Sequence, residues 1–231
     1  MARIRLITLA VLAVFCMSAV AAAAASASEG ELVNKAGTAL VKNKFTSSGA
    51  KTTLETIAGT KIVCESNTDH GIWTSTTGGE DTILFKECKS GGVTCKGGKD
   101  EAGEPKAGEI FVLVGLLIKK SNATERLILY TVHTPGTLTA GELPIVCSGI
   151  EILVKGSFLS TSNYVTKKLS KTIELSATQT KGIQAVTEYE NEKGEKVKCK
   201  GLEANVSKKG FEGAGQEGKE TDTLEEEAEF L

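Results

Sequence analysis

Cysteine is the residue whose spacing says most about chemistry in this chain of 231 residues, which contains six of them. Cys88 and Cys95 enclose the pair Gly91-Gly92. Two glycines in this position are typical of the two-residue turn of a β-hairpin. Such a turn would place the two cysteines directly opposite each other, at a Cα separation that a disulfide accepts. The spacing therefore predicts a Cys88–Cys95 bridge.

A second bridge is expected between two cysteines that are far apart in the chain. Cys64 and Cys147 each follow an Ile-Val pair, which indicates strands whose side chains point into a core. A bridge that ties these two strands together suits an exported protein, in which cysteines are usually oxidised. We therefore expect Cys64–Cys147 as the second disulfide.

Cys199 is then left without a partner, between Lys198 and Lys200. Neighbouring lysines can lower the pKa of a thiol and make it reactive, which would permit a covalent dimer through Cys199. The alternative, which the sequence favours, is a half-buried strand cysteine with no chemical role. The six residues between Cys88 and Cys95 do not give a zinc knuckle, and the chain has only two histidines. No metal and no cofactor are expected.

Hydrolytic chemistry would need a base, for which the candidates are His70 and His133. His70 lies in a predicted turn and His133 at the end of a predicted strand, and no G-x-S-x-G or H-E-x-x-H motif accompanies them. Glu151 stands between two isoleucines, and the simplest interpretation places it on the solvent face of a strand. A cleft lined by His133, Glu151 and Trp73 would favour a secreted hydrolase. Without one, no catalytic residue is predicted.

The elements that must position these residues are short strands. Between residues 51 and 212 the chain alternates apolar and β-branched runs with glycine-containing turns, and we find no amphipathic helix. This predicts an all-β domain, an antiparallel β-sandwich or barrel built from a meander of hairpins. Turns are expected at residues 77–80, 121–124 and 191–194. Strands are expected at residues 61–65, 71–76, 81–88, 109–119, 126–133, 144–156, 171–178, 183–190 and 195–206.

The N-terminal segment, residues 1–27, has the layout of a cleaved export signal. Arg3 and Arg5 precede an apolar run that ends in a stretch of small residues, with cleavage expected after Ala27. Cleavage would leave 204 residues and move the formal net charge from −2 to −4. The longest later apolar run, residues 110–118, is too short to cross a bilayer as a helix. We expect a secreted or cell-surface protein without a membrane anchor.

Two further segments flank the predicted domain. Residues 28–50 show little periodicity and are expected to be loosely ordered, so that the core begins near Lys51. Residues 213–231 are rich in glycine and glutamate and predict an exposed acidic tail, with an edge strand as the alternative.

The scarcity of arginine and tryptophan argues against one class of partner, nucleic acid. Arg126 is the only arginine after residue 27, and Trp73 is the only tryptophan. Arginine is the side chain best suited to recognition of phosphates and bases, and aromatic rings provide the platforms on which unpaired bases stack. Nucleic acid is therefore an unfavourable partner.

Four short segments carry a resemblance: Phe-Lys-Glu-Cys at residues 85–88, Val-Cys-Ser-Gly at 146–149, Lys-Gly-Ser-Phe at 155–158 and Thr-Glu-Tyr-Glu-Asn at 187–191. On these segments the chain resembles uncharacterised exported β-rich proteins of soil actinobacteria. The resemblance implies no activity and no binding residue. We expect an exported, non-enzymatic β protein with a binding or cell-surface structural role. Its contact area would be its Lys- and Thr-rich sheet faces, and its partner an extracellular ligand of unknown identity.

Overall fold

The computed structural model describes residues 32–75, 78–97, 109–119, 126–132, 140–163, 168–190 and 195–230. These residues form an all-β protein, which confirms the predicted fold class, and they contain no helix that could span a membrane. In chain order the strands are β1 (Leu32–Asn34), β2 (Lys44–Gly49), β3 (Thr52–Thr56), β4 (Lys61–Cys64), β5 (Ser66–Trp73), β6 (Gly78–Lys86), β7 (Lys89–Ser90), β8 (Val93–Gly97), β9 (Glu109–Lys119), β10 (Arg126–Val132), β11 (Leu143–Cys147), β12 (Ile150–Ser162), β13 (Ser170–Ala177), β14 (Gln179–Thr180), β15 (Ile183–Gln184), β16 (Glu188–Glu190), β17 (Lys196–Lys198), β18 (Leu202–Val206) and β19 (Phe211–Phe230).

Eight antiparallel strands close into a barrel, which we call barrel A. Around the ring their order is β2, β5, β6, β9, β10, β12, β13 and β19, and β19 pairs back with β2. Closure leaves no unpaired edge within the ring. Outside it, β1 pairs with β19, and the hairpin of β16 and β17 meets the end of β9.

A second ring of antiparallel pairings, which we call barrel B, shares two long strands with barrel A. It runs through β3, β4, β7, β8, β11, β12, β18 and β19. The first part of β12, up to Gly156, pairs with β18, and the part from Ser157 pairs with β10. Likewise β19 pairs with β3 up to Glu217 and with β13 from Gly218. The two barrels are therefore joined through continuous strands.

Gly156 marks the point where β12 passes from one barrel to the other. Its φ of 98° lies in the left-handed region, which side chains rarely adopt. A Cβ built here would lie 2.1 Å from the carbonyl oxygen of Gly201. Only glycine allows the two strands to approach so closely at this position.

Each barrel has its own core, and Phe85 and Phe158 pack against both cores. The buried residues of the core in barrel A are Leu32, Leu40, Phe45, Trp73, Ile83, Ile128, Tyr130, Ile173, Leu175, Leu224 and Ala228. Those in barrel B are Ile62, Cys64, Cys95, Val132, Leu143, Cys147, Ile152, Val154, Leu202, Ala204 and Ala214.

The expectation that residues 28–50 are loosely ordered and that the core begins near Lys51 is wrong for the described part of this segment. Leu32 is fully buried, and Phe45 is 3% exposed. The segment contributes β1 and β2, and β2 is a full member of barrel A. The apolar alternation typical of a strand is weak in β2, because only one apolar residue points inward and the next inward residue is the small polar Ser47.

The prediction of an acidic C-terminal tail is also wrong, whereas the alternative of a final strand is confirmed, except that this strand is not at an edge. β19 is the longest strand, with 20 residues, and it pairs with five other strands. Leu224 and Ala228 point into the core of barrel A. The glutamates at residues 225–227 are exposed on the outside. The strand looks like a tail because its inward positions include acids and glycines as well as apolar residues.

Several predicted strands need new boundaries. Residues 144–156 form two strands, because Ser148 and Gly149 adopt positive φ and make a turn between β11 and β12. Residues 78–80 of the turn expected at 77–80 belong instead to β6. The expected turns at 121–124 and 191–194 lie outside the described residues, although the strands beside each of them pair antiparallel.

Candidate functional site

Four cysteines form two disulfides, but not in the predicted pairs. The bridges are Cys64–Cys88 and Cys95–Cys147. The expected hairpin does exist: β7 and β8 pair across Gly91-Gly92, and the Cys95 amide donates to the Cys88 carbonyl at 2.8 Å. The predicted Cys88–Cys95 and Cys64–Cys147 bridges are nevertheless wrong.

The predicted pairs are wrong because each cysteine of the hairpin also faces a cysteine on the next strand outside the hairpin. β11 places Cys147 directly opposite Cys95, and the β4–β7 register continues to place Cys64 opposite Cys88. The four cysteines thus form one row across four adjacent strands. Local spacing identifies only the middle pair of this row, whereas the bridges join the two outer pairs.

Cys199 is the free cysteine among the described residues, and it is buried, with 8% of its surface exposed. Its Sγ atom lies 3.4 Å from both Oγ and the carbonyl oxygen of Ser157. Leu127 and Leu159 pack beside it. A covalent dimer through this thiol would need local opening of the strand, and the dimer stays a prediction.

The residues considered for hydrolysis are dispersed. Trp73 is 1% exposed in the core of barrel A, whereas Glu151 is half-buried on β12 in barrel B. His70 is exposed on β5, and His133 lies outside the described residues. Neither Trp73 nor Glu151 lines the apolar cavity inside barrel B.

A mainly apolar cavity of about 400 Å³ lies inside barrel B. Its walls are mainly aliphatic and aromatic, and Ile83 and Phe85 of barrel A close one side. A few polar residues reach it, among them Thr52, Lys96 and Gln216. Sites for small molecules commonly have this size and this mixture of an apolar wall with a few polar groups.

Each disulfide joins two neighbouring strands in the wall around this cavity. Cys64, Cys88 and Cys95 line the cavity directly. β4 and β7 share one register pair, and β8 and β11 share three. The β7–β8 hairpin between them shares two pairs. The bridges therefore reinforce two of the three shortest pairings around barrel B.

A second feature, which we call the acidic cluster, lies inside barrel A and consists of Asp69, Asp81, Glu220 and Asp222. Asp222 of β19 and Asp69 of β5 flank Ser47 of β2 in the strand register. The Ser47 hydroxyl donates a hydrogen bond to Asp69. One carboxylate oxygen from each of Asp69, Glu220 and Asp222 lies within 4.8 Å of the others.

Two further polar side chains donate to Glu220. The Tyr130 hydroxyl lies 2.8 Å from Oε1 of Glu220, and Nδ2 of Asn67 lies 3.0 Å from Oε2. These contacts fix the orientation of the Glu220 carboxylate. They supply hydrogen bonds but no positive charge.

The three aspartates of the acidic cluster are deeply buried and Glu220 is half-buried, which shifts the ionisation of the cluster. Asp81 and Asp222 are each 4% exposed and Asp69 is 6% exposed. Burial raises the pKa of all three aspartates, and repulsion between the carboxylates raises the pKa of Asp81 and Asp222 further. Burial, with repulsion from Asp69, raises the pKa of Glu220 to about 7. At neutral pH the acidic cluster therefore needs protons or cations to offset its charge.

The acidic cluster and the cavity are neighbours. A narrow extension of about 30 Å³ is lined by Asn67 and Glu220 of barrel A. It shares Phe85, Phe158 and Gln216 with the wall of the cavity. One end of the apolar cavity therefore approaches the carboxylate of Glu220.

The acidic cluster is not evident from the sequence, because its members are spread from residue 69 to residue 222. One signal was present: Asp81 stands two residues before Ile83, whose alternation with polar neighbours marks an inward face. Asp222 stands in the same way two residues before Leu224. Alternation therefore places both acids inside a sheet, but it does not show that they meet.

The fold and these two features define the molecule as an antiparallel β-barrel protein with a disulfide-bordered internal cavity. Comparison with protein-family models, with curated proteins and with solved structures finds no match to this chain. Its function therefore has to be argued from the cavity and the acidic cluster.

Proposed function

We propose that this protein is an exported, non-enzymatic binding protein that holds a small apolar molecule in the cavity of barrel B. The observation that carries the proposal is the volume of about 400 Å³ within an apolar wall. Apolar side chains around a space of this size make fewer contacts with one another than those of a packed core. A ligand that fills this space would recover those contacts.

The wall also indicates the chemistry of the ligand. Side chains such as Ile62, Leu143 and Leu202 would contact an aliphatic or aromatic body. Gln216 and Thr52 would orient one polar group, because they lie where the cavity meets its narrow extension. We therefore propose a mainly apolar molecule with a single hydroxyl or carbonyl group.

Export is supported by the cysteine chemistry. Two disulfides within one chain indicate an oxidising environment such as the outside of the cell. The signal-like layout of residues 1–27 supports delivery to that environment. No observation on the described residues favours the secreted hydrolase, and contacts through the Lys- and Thr-rich outer faces remain a prediction.

Titration of the oxidised protein with the apolar dye N-phenylnaphthylamine tests the proposal. We expect a saturable rise in fluorescence that corresponds to one dye molecule per chain. Val154 lines the cavity and is 4% exposed, so Val154→Phe should fill the space and weaken dye binding by about tenfold or more. Leu202→Phe is a second filling variant for the case in which the first does not fold.

The matched control is Val93→Phe, because Val93 belongs to the same barrel but is 44% exposed and does not line the cavity. It should bind the dye as the unaltered protein does. Absence of saturable binding, or equal binding by the filling variants and the control, would show that the cavity is not a ligand site.

A further inference from the structure

We propose that the acidic cluster of barrel A is a binding site for one divalent cation and that Ca²⁺ is the ion it fits. Asp69, Glu220 and Asp222 would supply the carboxylate ligands, and Asp81 would contribute charge beside them. The proposal rests on barrel A alone and does not depend on a ligand in barrel B.

The spacing of the carboxylate oxygens is the first observation. One oxygen from each of the three acids lies within 4.8 Å of the other two. Oxygens this close can reach one ion, because two ligands on opposite sides of Ca²⁺ are up to about 5.2 Å apart. Mg²⁺ gives up its water reluctantly and usually keeps several water ligands, whereas Ca²⁺ accepts many carboxylate oxygens. A site that offers several buried carboxylates therefore suits Ca²⁺.

The second observation is independent of this spacing and concerns unsatisfied oxygens. Oδ1 of Asp69 and Oδ1 of Asp81 are buried and have no hydrogen-bond partner. Asp81 is only 4% exposed, and its carboxylate lies near enough to Asp69, Glu220 and Asp222 to be repelled by all three. A buried acceptor without a donor is costly, and a cation between these groups would remove that cost.

Among the described residues, a positive charge on His70 would lower the pKa of Asp69. His70 is exposed on the opposite face of β5 from Asp69, so it does not lie among the buried carboxylates. Two ion pairs formed by described residues, Lys61 with Glu55 and Lys155 with Glu203, lie elsewhere. Tyr130 and Asn67 bond to Glu220 as neutral donors. Most of the charge balance inside the acidic cluster therefore has to come from bound protons or from a bound ion, and these alternatives make opposite predictions when calcium is added.

The test uses the intact, oxidised protein after treatment with a chelator, and the probes are the metals alone. Calorimetric titration with CaCl₂ should show one site, with a dissociation constant of about 1 mM or lower. Terbium should occupy the same site and give luminescence through Tyr130, whose hydroxyl lies 2.8 Å from Glu220. Calcium should displace terbium, and magnesium should do so at least about tenfold less effectively.

Variants locate the site. Asp222→Asn and Asp69→Asn keep the side-chain size but remove a ligand charge, and each should weaken calcium binding by about a hundredfold. Glu217→Gln is the matched control, because Glu217 is an exposed acid on the same strand as Asp222. It should bind calcium as the unaltered protein does.

The proposal is wrong if the unaltered protein takes up neither calcium nor terbium at concentrations up to about 10 mM, well above the range of weak extracellular sites. It is also wrong if both Asn variants bind as tightly as the Glu217→Gln control. In either case the acidic cluster balances its charge with protons. Dye binding in barrel B is measured separately, so its success or failure leaves this test unaffected.

Discussion

Burial of the four carboxyl groups in barrel A is unfavourable for the free energy of folding. An ionised carboxylate in an apolar interior loses its hydration, and neighbouring carboxylates add repulsion. Here Asp69, Asp81, Glu220 and Asp222 meet with three neutral donors, namely Ser47, Asn67 and Tyr130. Their cost is small only when protons or a cation accompany them.

This leads to a prediction for the pH dependence of the metal-free protein. The pKa of Glu220 rises from an ordinary 4.5 to about 7, and the pKa values of the three aspartates also rise. The folded state then holds more protons than the unfolded state above about pH 4, so its stability falls as pH rises. We expect the melting temperature of chelator-treated protein to decrease between about pH 5 and about pH 8.

Thermal unfolding of two variants checks the origin of this decrease. Asp222→Asn removes one buried charge and should flatten the decrease, whereas Glu217→Gln on the outside of β19 should leave it unchanged. A melting temperature that rises over this pH range would contradict the assignment of raised pKa values to the acidic cluster.

At the scale of the strands, the fold depends on two elements that serve both barrels. β12 and β19 span 13 and 20 residues, and each changes partners along its length. The change in β12 occurs at Gly156, where the backbone approaches Gly201. A side chain at this point should disturb both barrels at once.

Alanine substitutions at two glycines distinguish the cost of a positive φ from the cost of a steric clash. Gly149 and Gly156 both have positive φ, but only Gly156 lacks room for a Cβ. Gly149→Ala should reduce the free energy of unfolding by about 1 kcal/mol, and Gly156→Ala by about 3 kcal/mol or more. Urea unfolding measures both. Equal losses would mean that β12 does not need the close contact with Gly201.

The disulfides allow a second prediction about elements. The bridges close chain segments of 24 and 52 residues, which corresponds to about 3 and about 4 kcal/mol in the loop-entropy account. Replacing Cys95 and Cys147 together by alanine should therefore cost about 4 kcal/mol. It should also weaken dye binding, because it opens the seam between β8 and β11. Calcium binding in barrel A, measured on the same variant, serves as the control and should be retained.

These elements also show what the sequence could predict. The hairpin of β7 and β8 follows from Gly91-Gly92, and the inward face of β6 follows from the alternation that includes Ile83. Local pattern does not reveal that β4 and β11 lie on either side of that hairpin, because closure of a barrel is a contact between distant segments. The bridge partners of Cys88 and Cys95 and the meeting of Asp81 with Asp222 depend on closure, so the sequence did not define them.

At the scale of the whole molecule, the two barrels divide the chemistry between them. Barrel B holds an apolar cavity, barrel A holds charge, and Phe85 and Phe158 pack against both cores. Glu220 lines the narrow extension of the cavity. A ligand that reaches this extension would displace water from beside the Glu220 carboxylate. The two sites should therefore influence each other.

The sign of this influence follows from electrostatics. Removing water near Glu220 makes its negative charge more costly and so increases the advantage of a bound cation. An apolar ligand should then tighten calcium binding, and calcium should tighten dye binding by the same factor, because coupling of binding free energies is reciprocal.

Dye titrations with and without calcium should differ by about fivefold, the lower end of typical coupling. Asp222→Asn should remove the difference. Equal dye affinities in the unaltered protein, with calcium shown to be bound, would mean that the two barrels act independently.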